Sequence, residues 1–247
     1  MSMKFVSFFR SARLYALHFF FPKICFGCGC DLPVRQNGHL CPACANRLKK
    51  PGPHICQRCG AVLKSGGAHC YACRGSKAKK YKCQIIRAAF VFNTSSRGLV
   101  HALKYAGADY AAQEMGEKML SCFSQHVELA QADLIMPVPL HPKKQRTRGY
   151  NQSELLARVF AAQLGLPLDT VSLVRVRDTV SQTTLGRQGR LQNMLGAFAC
   201  LCPARVKGKT VLLIDDVATT GATLEGCAVA LKQAGAKRVL AYVFARE

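Results

Sequence analysis

The residues with the clearest chemical potential lie in Val211-Leu212-Leu213-Ile214-Asp215-Asp216-Val217-Ala218-Thr219-Thr220-Gly221-Ala222-Thr223. A continuously apolar run ends in two acids, passes through a turn bearing hydroxyls and glycine, and opens a helix. The start of a helix leaves backbone N–H groups unpaired at the positive end of the macrodipole, so a phosphate placed there gains charge-assisted hydrogen bonds. Gly221 lets the backbone come close, while Thr219, Thr220 and Thr223 offer hydroxyls. Asp215 and Asp216 repel a phosphate but suit sugar hydroxyls or a magnesium-bound diol. A phosphorylated ribose answers both halves. The competing interpretation is structural: Thr219 or Thr220 caps the helix and the acids sit solvated at a strand end.

A second chemistry is written in cysteine. Of 14 cysteines, eight form four Cys-x-x-Cys pairs: Cys25/Cys28, Cys41/Cys44, Cys56/Cys59 and Cys70/Cys73. Each pair supplies two ligands of a tetrahedral zinc, giving one or two structural Zn2+ sites. Sequential pairing groups Cys25, Cys28, Cys41 and Cys44, then Cys56, Cys59, Cys70 and Cys73; spacing alone does not exclude interleaved pairing. Redox dithiols are the alternative use of such pairs. Cys30, Cys83, Cys122, Cys200, Cys202 and Cys227 read as small buried hydrophobes.

The elements that must position these groups follow from pattern. Residues 25–74 lack a sustained apolar period and cannot build a core of useful size, which is the reason to assign metal to them. Residues 75–83 read as a basic linker. From 84 onward, strand-like and helix-like segments alternate: Ile85 to Phe92 extended, Ser96 to Tyr105 and Ala111 to Phe123 helical, Asp133 to Met136 extended, Asn151 to Leu164 helical. Thr210 to Ile214 is extended, Thr223 to Ala234 helical and Val239 to Phe244 extended. This alternation predicts a mainly parallel sheet with covering helices. The last two strands are apolar throughout, as strands buried on both faces are. Between them Leu224, Ala228 and Leu231 fall on one helix face.

The formal charge of +22 is uneven. Residues 1–83 hold 15 Lys+Arg and 1 Asp+Glu, a difference of +14, and the remainder holds 20 and 12, a difference of +8. A basic module of this kind suits single-stranded nucleic acid, with Lys77, Lys79, Lys80 and Lys82 as candidate phosphate contacts; a solvated basic face is the bland alternative. Residues 1–24 are rich in phenylalanine but interrupted by Lys4, Arg10, Arg13 and His18. That excludes a secretory h-region and a simple transmembrane span, and it predicts a cytoplasmic chain whose first helix packs on the body or touches a membrane surface.

The Asp-Asp-to-Thr segment resembles the PRPP-binding signature of type I phosphoribosyltransferases, with Ala218 standing where that family often carries a bulkier residue. With Pro137-Val138-Pro139-Leu140, Arg148-Gly149-Tyr150-Asn151-Gln152, Gln182 to Asn193 and Leu103-Lys104-Tyr105-Ala106-Gly107, the chain is similar to the ComF/GntX family from about Cys25 onward. The resemblance implies an α/β, Rossmann-like type I phosphoribosyltransferase domain over 84–247, with a hood at 84–127, behind a small double zinc ribbon. It implies PRPP with Mg2+ as ligand, a diphosphate loop at Val138, Pro139 and Leu140, and cations at Arg146 and Arg148 beside it. An X-Pro bond such as Val138-Pro139 can become cis at a cost of about 0.5 to 1 kcal/mol. It further implies a hairpin that closes over PRPP, with Arg187 and Arg190 meeting the departing diphosphate beside Asp215 and Asp216. DNA-uptake proteins and a role in natural transformation come with the same resemblance, as does transfer of phosphoribosyl to an acceptor the sequence does not name.

Overall fold

A computed structural model describes residues 18–64, 66–75, 81–105, 109–178, 189, 194 and 196–247. Its centre is a four-stranded sheet of β1 (Ile85–Val91), β2 (Leu134–Pro137), β5 (Thr210–Ala218) and β6 (Arg238–Arg246), in the order β1-β6-β5-β2. All three pairings are parallel. A separate antiparallel pair, β3 (Leu173–Arg175) and β4 (Phe198–Cys200), flanks it.

The sheet is buried on both faces because its central strands are apolar from Val211 to Ile214 and from Val239 to Ala245. Leu212, Ile214, Leu240, Tyr242 and Phe244 pack with Leu99, Met115 and Phe160 from α2 (Thr94–Tyr105), α3 (Ala111–Phe123) and α5 (Gln152–Leu164). The alternate residues Val211, Leu213, Val239, Ala241 and Val243 pack on Leu224, Ala228 and Leu231 of α7 (Ala222–Gln233). Period-two alternation thus divides one strand between two cores. Tyr242 anchors the first, edge-on to Phe123 and Phe160, its hydroxyl donating to Met119 O at 2.9 Å. Burying such a ring contributes about 1.5 to 3 kcal/mol.

Two departures from the sequence expectations bear on function. Strand β5 does not stop at Ile214: it stays paired with β6 from Thr210↔Arg238 to Ala218↔Arg246, so both acids lie inside the strand. The nine-residue β6 supplies the backbone partners that make this possible. The basic stretch after β2 is a short helix, α4 (Pro142–Arg148), started by Pro142 under a His141 cap and stopped by Gly149 in the left-handed conformation. Among the described residues every peptide bond is trans, Val138-Pro139 included.

The cysteine-rich segment, with the short helix α1 (Pro42–Asn46), is an internal repeat. Cys25 N–H donates to Cys30 O and Gly29 N–H to Cys25 O; one repeat later, Cys56 N–H donates to Ala61 O and Gly60 N–H to Cys56 O. The offset is 56 − 25 = 31 residues, and the bridges Ile24↔Asp31 and Ile55↔Val62 keep it. The two repeats hold different parts of the body. The first lies on α2 and α3: Leu32, Leu40 and Cys44 join their core, and His39 N–H donates to Glu114 at 2.7 Å. A Cβ on Gly98 of α2 would stand 1.8 Å from Phe26 O, so this contact needs glycine. The second repeat lies along the outer edge of the sheet, where Ile86 N–H donates to Arg58 O at 2.8 Å. Among the described residues no helix is long and apolar enough to cross a membrane.

Candidate functional site

Asp215 and Asp216 are 7% and 3% exposed at the carboxyl end of β5. Asp215 Oδ1 accepts from Ser153 Oγ at 2.7 Å and from Asp216 N–H at 2.9 Å. Burial, and then the neighbouring Asp216 carboxylate, push the Asp215 carboxyl up to about 7, against the pull of the Ser153 hydrogen bond. Asp216 meets the ammonium of Lys104 at 2.5 Å. Its Oδ2 has no partner in good hydrogen-bond geometry, yet at this separation the charge–charge contact governs, and the oxygen is not orphaned. Burial pulls the Lys104 pKa down, but Asp216 outweighs it and the net shift is upward.

Ser153 reaches Asp215 because Asn151 fixes the start of α5. The Asn151 side chain accepts from Ser153 N–H at 3.1 Å and donates to Val138 O at 3.1 Å. One asparagine therefore joins the loop at Val138, Pro139 and Leu140 to the helix that touches the acid pair. Val138 is buried, while Pro139 and Leu140 are partly exposed. Tyr150 Oη, donating to Leu103 O at 2.6 Å, ties the same region to α2.

Beyond the acids, β5 runs through Ala218 into the turn Thr219-Thr220-Gly221. Gly221 has φ 79° and its Cβ position faces Ile86 Cδ1 at 3.2 Å, so a side chain there is strained and crowded. Thr220 Oγ1 accepts from Ala222 N–H at 3.3 Å, a weak cap at the first residue of α7. Thr219 is exposed, Thr220 and Thr223 are partly so, and Ala222 is buried against the body.

A cavity of about 510 Å3 is lined, among the described residues, by Lys104, Tyr105, Lys143, Lys144, Thr147, Arg148 and Tyr150. Lys104 thus has one end of its reach in this basic cavity and its ammonium on Asp216. The Arg148 guanidinium sits 5.4 Å from the Tyr105 ring centre and donates to Gln152. Arg146 is on the exposed face of α4 and outside the lining. Arg187, Arg190, Lys77, Lys79 and Lys80 lie outside the described residues; Lys82 is exposed, and its backbone N–H donates to Glu225 at 2.6 Å. Ser153 and Lys104 were not foreseen as site residues. Lys104 stood in a quoted motif, but nothing in sequence pairs it with an acid 112 residues later (216 − 104 = 112).

The metal centres separate into a simple and a crowded one. In the second repeat the sulfurs of Cys56, Cys59, Cys70 and Cys73 lie within 4.8 Å of one another. Arg246, 4% exposed, has Nε and Nη1 without hydrogen-bond partners. Burial raises the Cys59 thiol, and the Arg246 charge beside it pulls the other way. A buried guanidinium is stable there when the sulfurs are thiolates, so this site fits a tetrathiolate zinc. In the first repeat the mutually close set is Cys25, Cys28, Cys30 and Cys41. Cys44 is 1% exposed beneath them, in contact with Cys28, Cys41 and Cys25. The repeat decides between the candidates: Cys30 corresponds to Ala61 (30 + 31), whereas Cys44 closes the Cys-x-x-Cys pair that Cys73 closes in the second copy, at the offset of 29 residues (73 − 44) that the acceptors of the bonds Phe26 N–H to His39 O and Gln57 N–H to Ala68 O also show.

Comparison with known proteins agrees with this division. Residues 16–74 match the double zinc ribbon domain family and residues 151–247 the phosphoribosyl transferase domain family. The chain is thus a type I phosphoribosyltransferase fold behind a double zinc ribbon. DNA utilization protein YhgH of Salmonella typhi is 33% identical over 151 residues, 60% of this chain and 66% of that protein. Competence protein F of Haemophilus influenzae is 33% identical over 120 residues, 48% of this chain and 52% of that protein. Competence protein ComFC of Streptococcus pneumoniae is 27% identical over 160 residues, 65% of this chain and 67% of that protein. The match to the Salmonella protein spans just under two thirds of its length. Among solved structures, glutamine PRPP amidotransferase from B. subtilis overlays with a TM-score of 0.34 and 22% identity, over 53% of this chain and 26% of that one, a likeness too distant to bear on function. Both domain matches and these relatives fit the ComF family, to which the chain is similar.

Proposed function

We propose that this chain is a ComF-type competence and DNA-utilization protein whose phosphoribosyltransferase domain binds PRPP with magnesium and transfers its phosphoribosyl group to an acceptor nitrogen. The observation that carries the proposal is the run of β5 into α7. A buried acid pair stands one turn before a glycine in left-handed conformation that opens a 12-residue helix. The 5′-phosphate lies at the turn Ala218 to Thr223, where the helix start and threonine hydroxyls favour an anion. The ribose hydroxyls lie against Asp215 and Asp216. The diphosphate lies toward Val138, Pro139, Leu140 and Arg148, with Arg146 nearby; Arg187 and Arg190, outside the described residues, are the further candidate cations. Magnesium would be held by the diphosphate and ribose with Asp215 and Asp216, and it supplies charge neutralisation for the leaving group.

In the transfer the bond from C1′ to the diphosphate oxygen breaks as a bond from the acceptor nitrogen forms. The diphosphate leaves with the electron pair. The chain's own part is positioning and electrostatics: Asp215 and Asp216 orient the ribose, and the cations stabilise the departing oxygens. Asp215 accepts ribose hydroxyls most strongly, and through both oxygens, when ionised, so the Ser153 hydrogen bond, which favours the carboxylate, belongs to the binding machinery.

A second reading is favoured by the charge of +14 on residues 1–83: the domain senses PRPP without turnover while the basic ribbon region, with Lys77, Lys79, Lys80 and Lys82, holds single-stranded DNA for uptake proteins. Equilibrium binding of labelled PRPP with and without magnesium, in the wild-type chain and in Asp215→Asn/Asp216→Asn, tests the shared site. Unchanged affinity in the double variant refutes it. Release of diphosphate on adding a panel of amines and bases separates the enzyme from the sensor.

A further inference from the structure

The second zinc ribbon is joined to the phosphate-turn helix by a buried ionic link that neither the domain families nor the relatives assign. Arg58, in the Cys56-to-Cys59 knuckle, donates through Nη1 to Cys73 Sγ at 3.3 Å and through Nη2 to Cys83 O at 3.1 Å and Glu225 Oε2 at 3.4 Å. Its guanidinium lies 3.5 Å from the Tyr81 ring centre. Glu225 sits in the first turn of α7, and its N–H donates to Gly221 O at 3.0 Å. Its carboxylate also accepts from the backbone N–H groups of Lys82 at 2.6 Å and Cys83 at 3.1 Å. Both side chains are nearly closed to solvent, 10% and 8% exposed.

These contacts form one continuous path. A metal-ligand sulfur meets a guanidinium, the guanidinium meets a carboxylate, and the carboxylate's own backbone bonds the glycine of the turn. The path is reinforced by packing, because Cys56, Cys59 and Cys73 share a core with Ala218, Leu224 and Cys227. A glutamate in a helix's first turn ordinarily complements the macrodipole from solvent. Here it is buried and directed at the ribbon and the chain entering β1, so its charge is spent on fixing where the helix begins.

We propose that Arg58 and Glu225 are positioning residues that make the second zinc ribbon a brace for the phosphate turn. Zinc in that ribbon fixes Cys73, Cys73 fixes the Arg58 fork, and the fork with Glu225 holds the turn Thr219 to Ala222 in register with the acid pair. The assignment of a ligand to that turn rests on the function proposed above; the brace itself does not. Through linkage, zinc occupancy and ligand affinity at the turn rise and fall together.

The test uses the full chain loaded with zinc. Glu225→Gln leaves the shape but removes the charge that meets Arg58. The expected result is a roughly tenfold faster loss of one of the two zinc ions to a coloured chelator, the scale of one charged hydrogen bond. Amide hydrogen exchange at Thr220 to Leu224 is expected to accelerate by a similar factor, and PRPP affinity with magnesium to fall with it. Arg58→Lys, which keeps the charge but loses the fork, provides a milder variant if Glu225→Gln does not fold. The double variant is expected to lose no more than the worse single one, which a general loss of packing would not produce. Zinc loss and exchange at wild-type rates in both single variants would overturn the brace. A wild-type chain that binds no PRPP, yet shows both rates shifted in the variants, removes the ligand assignment and supports the brace.

Discussion

Replacing Lys104 by methionine removes the countercharge of Asp216 while keeping most of the aliphatic stem. The ammonium is 2.5 Å from a carboxylate whose side chain is 4% exposed, and the lysine itself is 23% exposed. Breaking a fully buried pair costs about 3 to 5 kcal/mol, and the water reaching Lys104 reduces this to roughly 2. The cost depends on pH in a direction fixed by Asp215. Its carboxyl is raised to about 7 from an ordinary value of 3.8, so the folded state holds a proton that the unfolded chain has lost. The stability tied to that proton is complete below the unfolded value and disappears as pH rises through about 7. Without Lys104 both acids are uncompensated once ionised, so the Asp215 value climbs further and the loss grows with pH. Urea unfolding of Lys104→Met is therefore expected to give a loss of roughly 2 kcal/mol at pH 8 and less than half of that at pH 5.5. Adding Asp216→Asn is expected to recover most of the loss at pH 8. Equal destabilisation at the two pH values, or no recovery in the double variant, would refute the coupling of lysine and acid pair.

Ser153→Ala removes a hydrogen bond that favours ionised Asp215, so the pH midpoint of PRPP binding should move up, with a stability change of about 1 kcal/mol; a midpoint that stays in place counts against Asp215 as the ionising group. Gly221→Ala forces a side chain at positive φ toward Ile86, and calorimetry should register a loss of about 1 to 2 kcal/mol together with weaker PRPP binding. Zinc content by atomic absorption should drop by one ion per chain in Cys44→Ser and stay whole in Cys30→Ser; the reverse pattern would make Cys30 the fourth ligand. Arg246→Met should ease removal of zinc from the second ribbon by a chelator, because the thiolates there lose a buried positive neighbour.

Much of the architecture could be read without coordinates. Apolar runs such as Val211 to Ile214 and Val239 to Phe244 admit few uses other than strands covered on both faces, and the Leu224, Ala228 and Leu231 face of α7 follows from helical period. The cysteine pairs declared a metal module because no apolar pattern competed for that segment. These are local signals, carried by spacing along the chain, and they survived folding unchanged.

Other features depended on partners remote in sequence. Strand β5 extends past its apolar run because β6 is long enough to pair with Asp215 through Ala218, and strand length is set by the neighbour as well as by the residues themselves. The basic stretch Pro142 to Arg148 coiled into a helix because His141 and Gly149 cap it, which a reading of its charge alone passed over. Five cysteines gather in the first ribbon, and composition could not rank Cys30 against Cys44; the correspondence of the two backbone repeats does. The acid pair was legible as an acid pair, but its proton, its serine and its lysine were not. The sequence by itself determined most of the central sheet and its covering helices and which groups are candidates for chemistry, since those follow from short-range period and residue type. The tertiary structure alone decided their electrostatic state, because desolvation and charge contact depend on what folding brings within a few ångströms: Ser153 to Asp215, Lys104 to Asp216, and Arg58 to Glu225.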